Sequence, residues 1–417
     1  MEKREALKRE LLTQLYSLRT VDGHSHTYAP DVYYAREINL FNLQHYFQRD
    51  AAGLIGPWEM DAIEDPGECW RRLKTALESA GNTAYWRHQL LVYRKLFDFT
   101  DPELDDANWR RLDTDIRRKT SDPNWYDYVT RSVCNLEIQV RNVGWGEAWD
   151  RRYFAGVLRM ENALRLDSAE GRTALEKRLD RPIDSLKAAR AGLADLASAA
   201  RSDGAVGLKL AHAYFRTLDS RPVTETRATR LFEKSLGPGP LDPAEARELQ
   251  DHFIFYLAEL CAELSLVFQI HTGVQTTWGA IPESDPLLLL PLLNRFRAVR
   301  FDLFHAGYPY ARMLGMLGKH YPNAWLNLAW IYLVSPAASR QVLSEWLDLV
   351  PIHRLIGFGS DVHFPELIWG HLEMARDCVA EVLTDKVTQD YWSEGLARDA
   401  ARKLFRENGL ELYALKK

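Results

Sequence analysis

Thr20-Val21-Asp22-Gly23-His24-Ser25-His26 reads as a short strand that ends in two histidines one residue apart. Side chains on a strand alternate faces, so residues i and i+2 point the same way and can grip one ion. His24 and His26 form such a pincer. Three later segments repeat the design of an apolar run closed by a ligand-type residue and a loop. They are Leu266-Val267-Phe268-Gln269-Ile270-His271-Thr272-Gly273, Phe301-Asp302-Leu303-Phe304-His305-Ala306-Gly307 and Leu355-Ile356-Gly357-Phe358-Gly359-Ser360-Asp361. Imidazole and carboxylate together suit zinc, manganese or iron, and a catalytic zinc takes about three protein ligands while keeping an open position. Taken singly, His271 or His305 reads as a packed core histidine and Asp361 as a helix cap. Four such groups at four strand ends read instead as a metal site.

Working outward, segments 20–26, 52–56, 153–160, 205–212, 266–273, 298–307, 324–330 and 355–362 carry strand patterns, mostly separated by stretches of helical period. Eight strands alternating with helices predict an α/β fold, a (β/α)8 TIM-type barrel with its active site at the carboxyl ends of the strands. The stretch 57–150 is too long for a barrel connection and reads as a helical subdomain inserted after strand 2, overhanging the site. Its tryptophans, Trp58 to Trp149, lie at helical spacing and read as core. Residues 1–417 are expected to form a single barrel domain that includes this insertion. A second excursion, 217–250, is broken by Gly237-Pro238-Gly239-Pro240 before a helix starting near Asp242-Pro243.

Composition fits a folded enzyme. The 417 residues are 46% hydrophobic, and a formal charge of -5 predicts no polyanion-binding surface, so nucleic acid is not an expected partner. Cys69, Cys134, Cys261 and Cys378 lack metal-knuckle or redox spacing and read as buried thiols of a reducing compartment. No stretch has signal-peptide character or membrane-spanning length, which predicts a cytoplasmic protein with no membrane partner. A homo-oligomer stays open.

The order His24-x-His26, His271, His305 and Gly359-Ser360-Asp361 resembles the amidohydrolase superfamily. The runs His271-Thr272-Gly273, Asp285-Pro286-Leu287, His305-Ala306-Gly307-Tyr308-Pro309-Tyr310 and Tyr321-Pro322-Asn323-Ala324-Trp325 resemble its amidohydrolase-2 branch. The nearest likeness is to the amidohydrolase domain fused to glutamine-synthetase-like domains in nodulin-type proteins, with uronate isomerases more distant. No such fusion partner is expected here. The resemblance implies that His24, His26 and Asp361 bind a divalent metal, zinc first, with His271 as a further ligand or a neighbour of the metal-activated water. Asp361 would accept a proton from that water, and His305 would polarise the scissile group or shuttle the proton. Binuclear members bridge two metals with a carboxylated lysine on the fourth strand. Lys209 stands there, and is read as a cation that neutralises the carboxylates or binds an anionic substrate in a one-metal site, with a bridge between two metals left open.

Arg159 and Arg216 fall near strand ends, where a guanidinium can hold a substrate carboxylate, or form a structural ion pair instead. Tyr214, Trp278 and His212 are further substrate-facing candidates, and His363 and Glu366 are candidates to orient Asp361. His45, His88, His252, His320, His353 and His371 read as packing or surface residues. The expected function is hydrolysis of a carbon–nitrogen or ester bond in a small, carboxylated substrate by a metal-activated water. The alternatives are a uronate-isomerase-like isomerase or a decarboxylase, and beyond these a catalytically silent binding barrel.

Overall fold

The computed structural model describes residues 2–277 and 279–415, so Trp278 lies outside the described residues. Eight strands hydrogen-bond in chain order into one sheet: β1 (Thr20–Ser25), β2 (Leu136–Val143), β3 (Phe154–Arg159), β4 (Gly207–Leu210), β5 (Val267–Ile270), β6 (Phe301–Leu303), β7 (Ala324–Asn327) and β8 (Leu355–Ile356). From β3 to β8 neighbours run parallel, with Gly207 beside Val157 and Val267, Phe301 beside Phe268 and Ala324, and Leu326 beside Leu355. Sequential order with parallel pairing is the topology that an α/β barrel requires.

By compactness the chain divides into two units. One comprises Met1–Gln139, Ala329–Ser344 and Gly357–Arg406; the other comprises Val140–Leu328, Glu345–Ile356 and Glu407–Lys417. In the first unit, β1 leads into a helical excursion whose tryptophans are mostly core. Trp70 stacks on Trp109 at 5.6 Å, and the Trp125 indole donates to Glu366 at 2.8 Å. In the second unit, the strands are flanked by helices such as Pro243–Leu264, which is buried continuously from Asp251 to Ala258. This helix starts where the sequence predicted, because Asp242 and Glu245 form a reciprocal capping box.

The expected second strand is corrected. Segment 52–56 is the end of a helix, Phe47–Ile55, with Phe47 and Ala51 buried one turn apart and Leu54 half exposed. A strand inside a parallel sheet would be covered on both faces, which that segment is not. The true β2, Leu136–Val143, opens with the period-2 alternation Leu136-Glu137-Ile138-Gln139-Val140-Arg141, which lies inside the stretch expected to be the helical insertion. The helical excursion accordingly follows strand 1 and spans 26–135, not 57–150 after strand 2. The strands are also shorter than expected, so His271, His305 and Asp361 stand just past β5, β6 and β8, on the loops.

Candidate metal centre

In the first unit, the β1 alternation sends Asp22 and His24 into the buried interior, 0% and 1% exposed, with His26 at the rim. His24 Nε2 lies 3.1 Å and His26 Nε2 3.4 Å from the same oxygen, Asp361 Oδ1. Four ligands on a tetrahedral zinc at about 2.0 Å stand about 3.3 Å apart along each edge, so each of the two imidazole nitrogens stands at ligand spacing from the Asp361 carboxylate oxygen. Asp361 adopts φ 53°. A left-handed backbone is uncommon for a residue other than glycine, and it costs local strain that the surrounding bonds must hold.

The loop carrying Asp361 is fastened to β1. Gly23 N–H donates to Phe358 O at 3.0 Å and Asp361 N–H to His24 O at 2.9 Å. Gly359 permits the approach, because a Cβ there would meet Ala329 Cβ at 2.7 Å. Asp22 accepts from Ser360 N–H at 2.8 Å, Ser360 Oγ–H at 2.5 Å and His24 N–H at 3.3 Å. Complete burial still pushes its carboxyl up to about 7 against these three donors. The Ser360 carbonyl accepts from His371 Nδ1 at 2.8 Å, and burial lowers His371 to about 3, so the ring stays neutral. Asp22 and His371 were not among the expected site residues. The spacing that singled out His24 and His26 extends back one step to Asp22.

Around this core Tyr46 donates its hydroxyl to the Asp361 carbonyl and stacks between His45, at 4.3 Å, and Trp330, at 5.1 Å. His45 faces His363 at 4.5 Å, and burial holds it neutral with a pKa of about 3. His363 bonds the Tyr28 hydroxyl at 3.3 Å. Glu366 does not orient Asp361: it is buried in the helical region, accepting from Tyr33 and Trp125.

In the second unit, the loops after β5 and β6 bring His271 and His305 together. His271 Nε2 bonds the Val274 carbonyl at 2.7 Å, which assigns its proton to Nε2, and its Nδ1 accepts from His305 Nε2 at 2.9 Å. Both ring nitrogens of His271 are thus engaged. His305 is fully buried at φ 61°. Below them, Lys209 lies in register with Gln269, and Gln269 with Asp302. The Lys209 ammonium sits 3.9 Å over the Phe304 ring. Asp302 accepts from Tyr413 and, at 3.1 Å, from Asn327, while Gln269 donates to the Tyr413 hydroxyl at 2.6 Å.

Tyr214 lies 4.6 Å from the His271 ring, and His212 is completely buried, which lowers its pKa well below the ordinary range. Arg159 is half exposed and meets Glu161 at 3.2 Å. Arg216 is committed elsewhere: it donates to Asp251 at 2.6 Å, to Gln250 and to the Thr217 and Asp219 carbonyls.

Fold and donor set together define an α/β barrel suited to a divalent metal. The chain belongs to the amidohydrolase family, whose model matches residues 176–415 and so leaves His24 and His26 outside the matched segment. Over 233 residues the chain is 30% identical to protein fluG of Emericella nidulans, covering 53% of this chain and 27% of that protein. Over 228 residues it is 27% identical to the uronate isomerase of Sphingopyxis alaskensis, covering 49% of this chain and 47% of that protein. The chain thus spans less than half the length of these relatives in its matches. Among solved structures, the uronate isomerase of Thermotoga maritima superposes with a TM-score of 0.82 at 16% identity, covering 98% of this chain and 97% of that one. The glucuronate isomerase of Caulobacter crescentus gives 0.80 at 17%, covering 99% and 95%. These likenesses show the barrel fold.

Proposed function

We propose that the protein is a metal-dependent isomerase of a sugar acid, interconverting the aldehyde and ketone forms of a uronate. The observation that carries this reading over hydrolysis is the 27% identity to a curated uronate isomerase. In the proposal, residues 1–417 act as one barrel domain, and His24, His26 and Asp361 hold a single divalent ion, zinc first. An ion bound there supplies Lewis acidity toward a substrate oxygen.

Aldose–ketose conversion takes a proton from one carbon and delivers one to its neighbour, with a matching transfer between their oxygens. The chain therefore needs groups that accept a proton and return it. Asp361, a carboxylate held rigidly through its backbone, takes one such role. The His271–His305 pair takes the other, with His271 fixed by Val274 and presenting one nitrogen to His305. Tyr214, and Arg159 once released from Glu161, are the substrate-facing residues of the proposal.

Lys209 supports one metal. Its ammonium faces an aromatic ring and shares a buried layer with Asp302, and both surroundings favour a cation over a carbamate anion. The four cysteines are free and buried, with burial pushing Cys134 and Cys378 up to about 12, which suits a reducing cytoplasm. No helix among the described residues is long and apolar enough to cross a membrane.

The test is incubation of metal-loaded protein with D-glucuronate and D-galacturonate, followed by NMR. A keto-acid product is expected. Turnover of N-acyl amino acids or lactones without any uronate interconversion would establish the hydrolytic reading instead.

A further inference from the structure

Every connection between successive strands contains a helix except one. Residues 144–153, joining β2 to β3, form turns only. Crossovers in a parallel barrel normally lay a helix over the outer face of the sheet. Here the place of that helix is a cleft of about 330 Å³, lined by Leu158 of β3, by Ala199 and Ala200 of the helix Leu186–Ser202, and by Trp145, Trp149 and Arg178. The volume lies in the range of small-molecule sites, about 300–1,000 Å³, at its lower end.

The cleft walls are held in place. Trp145 Nε1–H donates to the Arg159 carbonyl at 2.9 Å. Trp149 lies flat on Gly156, where a Cβ would meet the indole at 2.6 Å. The Arg178 guanidinium lies against Gly146, which any side chain at that position would displace. The Glu147 carboxylate is consumed by Arg141 at 2.7 Å and by Gly144 N–H at 2.8 Å. The Arg178 guanidinium makes no hydrogen bond or ion pair among the described residues. The cleft therefore offers two indoles, a floor of small apolar side chains and two guanidiniums, that of Arg178 and that of Arg151, which donates to the Asp203 carbonyl; Asp203 is the acidic residue of the lining beside Glu147.

We propose that this cleft binds a small organic anion with a flat apolar body, such as an aromatic carboxylate, whose charge meets Arg178 and whose ring lies along Ala199 and Ala200 between the indoles. Aromatic faces supply dispersion and a guanidinium supplies a bidentate charge-assisted contact, the combination that selects a planar anion over its neutral isostere. The site is separate from the metal ligands in sequence and composition, and the proposal does not depend on the reaction assigned above.

Calorimetric titration of the full-length protein with 2-naphthoate tests it. One site per chain is expected, with affinity about tenfold weaker for neutral 2-naphthalenemethanol and about tenfold weaker in Arg178→Met. Ala199→Trp, a substitution at an exposed helix position, should fill the cleft and abolish binding, whereas chelation of metal and His24→Ala should leave it unchanged. No binding at millimolar probe, or binding indifferent to both Arg178→Met and Ala199→Trp, overturns the proposal. Binding that disappears on chelation but survives Ala199→Trp also overturns it, by placing the probe at the metal ligands.

Discussion

Asp22 and Ser360, 338 positions apart in the chain, are joined twice: the Asp22 carboxylate accepts both the backbone N–H and the hydroxyl of Ser360. A third bond to His24 N–H makes Asp22 the group that sets His24 and Asp361 in one geometry. Groups that orient metal ligands typically contribute 10–100-fold to affinity or rate. Asp22→Asn keeps the size but cannot accept from all three donors. We expect metal affinity and turnover to fall by about 10–100-fold, with an unchanged circular dichroism spectrum. Full occupancy and wild-type turnover in this variant would remove Asp22 from that role.

Metal content is the second expectation. Protein purified without chelator or histidine tag should carry about one zinc or manganese per chain by plasma mass spectrometry. His24→Ala and Asp361→Asn should each lose it while the barrel stays folded. Two ions per chain would assign a carboxylated Lys209, against its placement over Phe304.

Asp302 gives a pH signature. Burial pushes it up to about 7, opposed by bonds from Tyr413 and Asn327 and by the Lys209 charge. An unfolded aspartate titrates near 4, so between about pH 4 and pH 7 the folded chain holds a proton that the unfolded chain has released. Its contribution to stability is therefore full below about pH 4 and is lost as pH rises toward 7. Asp302→Asn removes the titration, and its Tm relative to wild type should climb by a few degrees from about pH 5 to pH 8. A difference that stays flat across this range contradicts the assignment.

Arg216 is predicted to matter for stability and not for substrate. Its side chain and that of Asp251 are 8% and 5% exposed. Burial draws the Arg216 pKa down and the Asp251 pKa up, so desolvation outweighs their attraction. Removing one partner of such a pair strands the other and costs about 3–5 kcal/mol. Arg216→Met should lower the unfolding free energy obtained from urea denaturation by that amount. KM should change equally for carboxylated and neutral substrates, and a selective rise for the carboxylated ones would return Arg216 to the binding site.

Much of this architecture is legible in local pattern. The His-x-His spacing, the apolar runs ending in His271, His305 and Asp361, and the Asp242–Glu245 cap are short-range signals, because strand alternation and helix capping act within a few residues. Those signals determined the α/β class and seven of the eight strands, and they mark the ligand-type residues. Which apolar segment becomes the second strand was decided only by the tertiary structure. Residues 52–56 and 136–143 both carry apolar side chains, and what separates them is whether neighbouring strands and helices cover both faces. The same holds for the partners of each charged group. Asp22 finds Ser360, Arg216 finds Asp251, and the Arg178 guanidinium comes to lie against Gly146. Periodicity fixes which way a side chain faces along its own element. What it meets there depends on contacts between residues tens to hundreds of positions apart, and only folding brings them together.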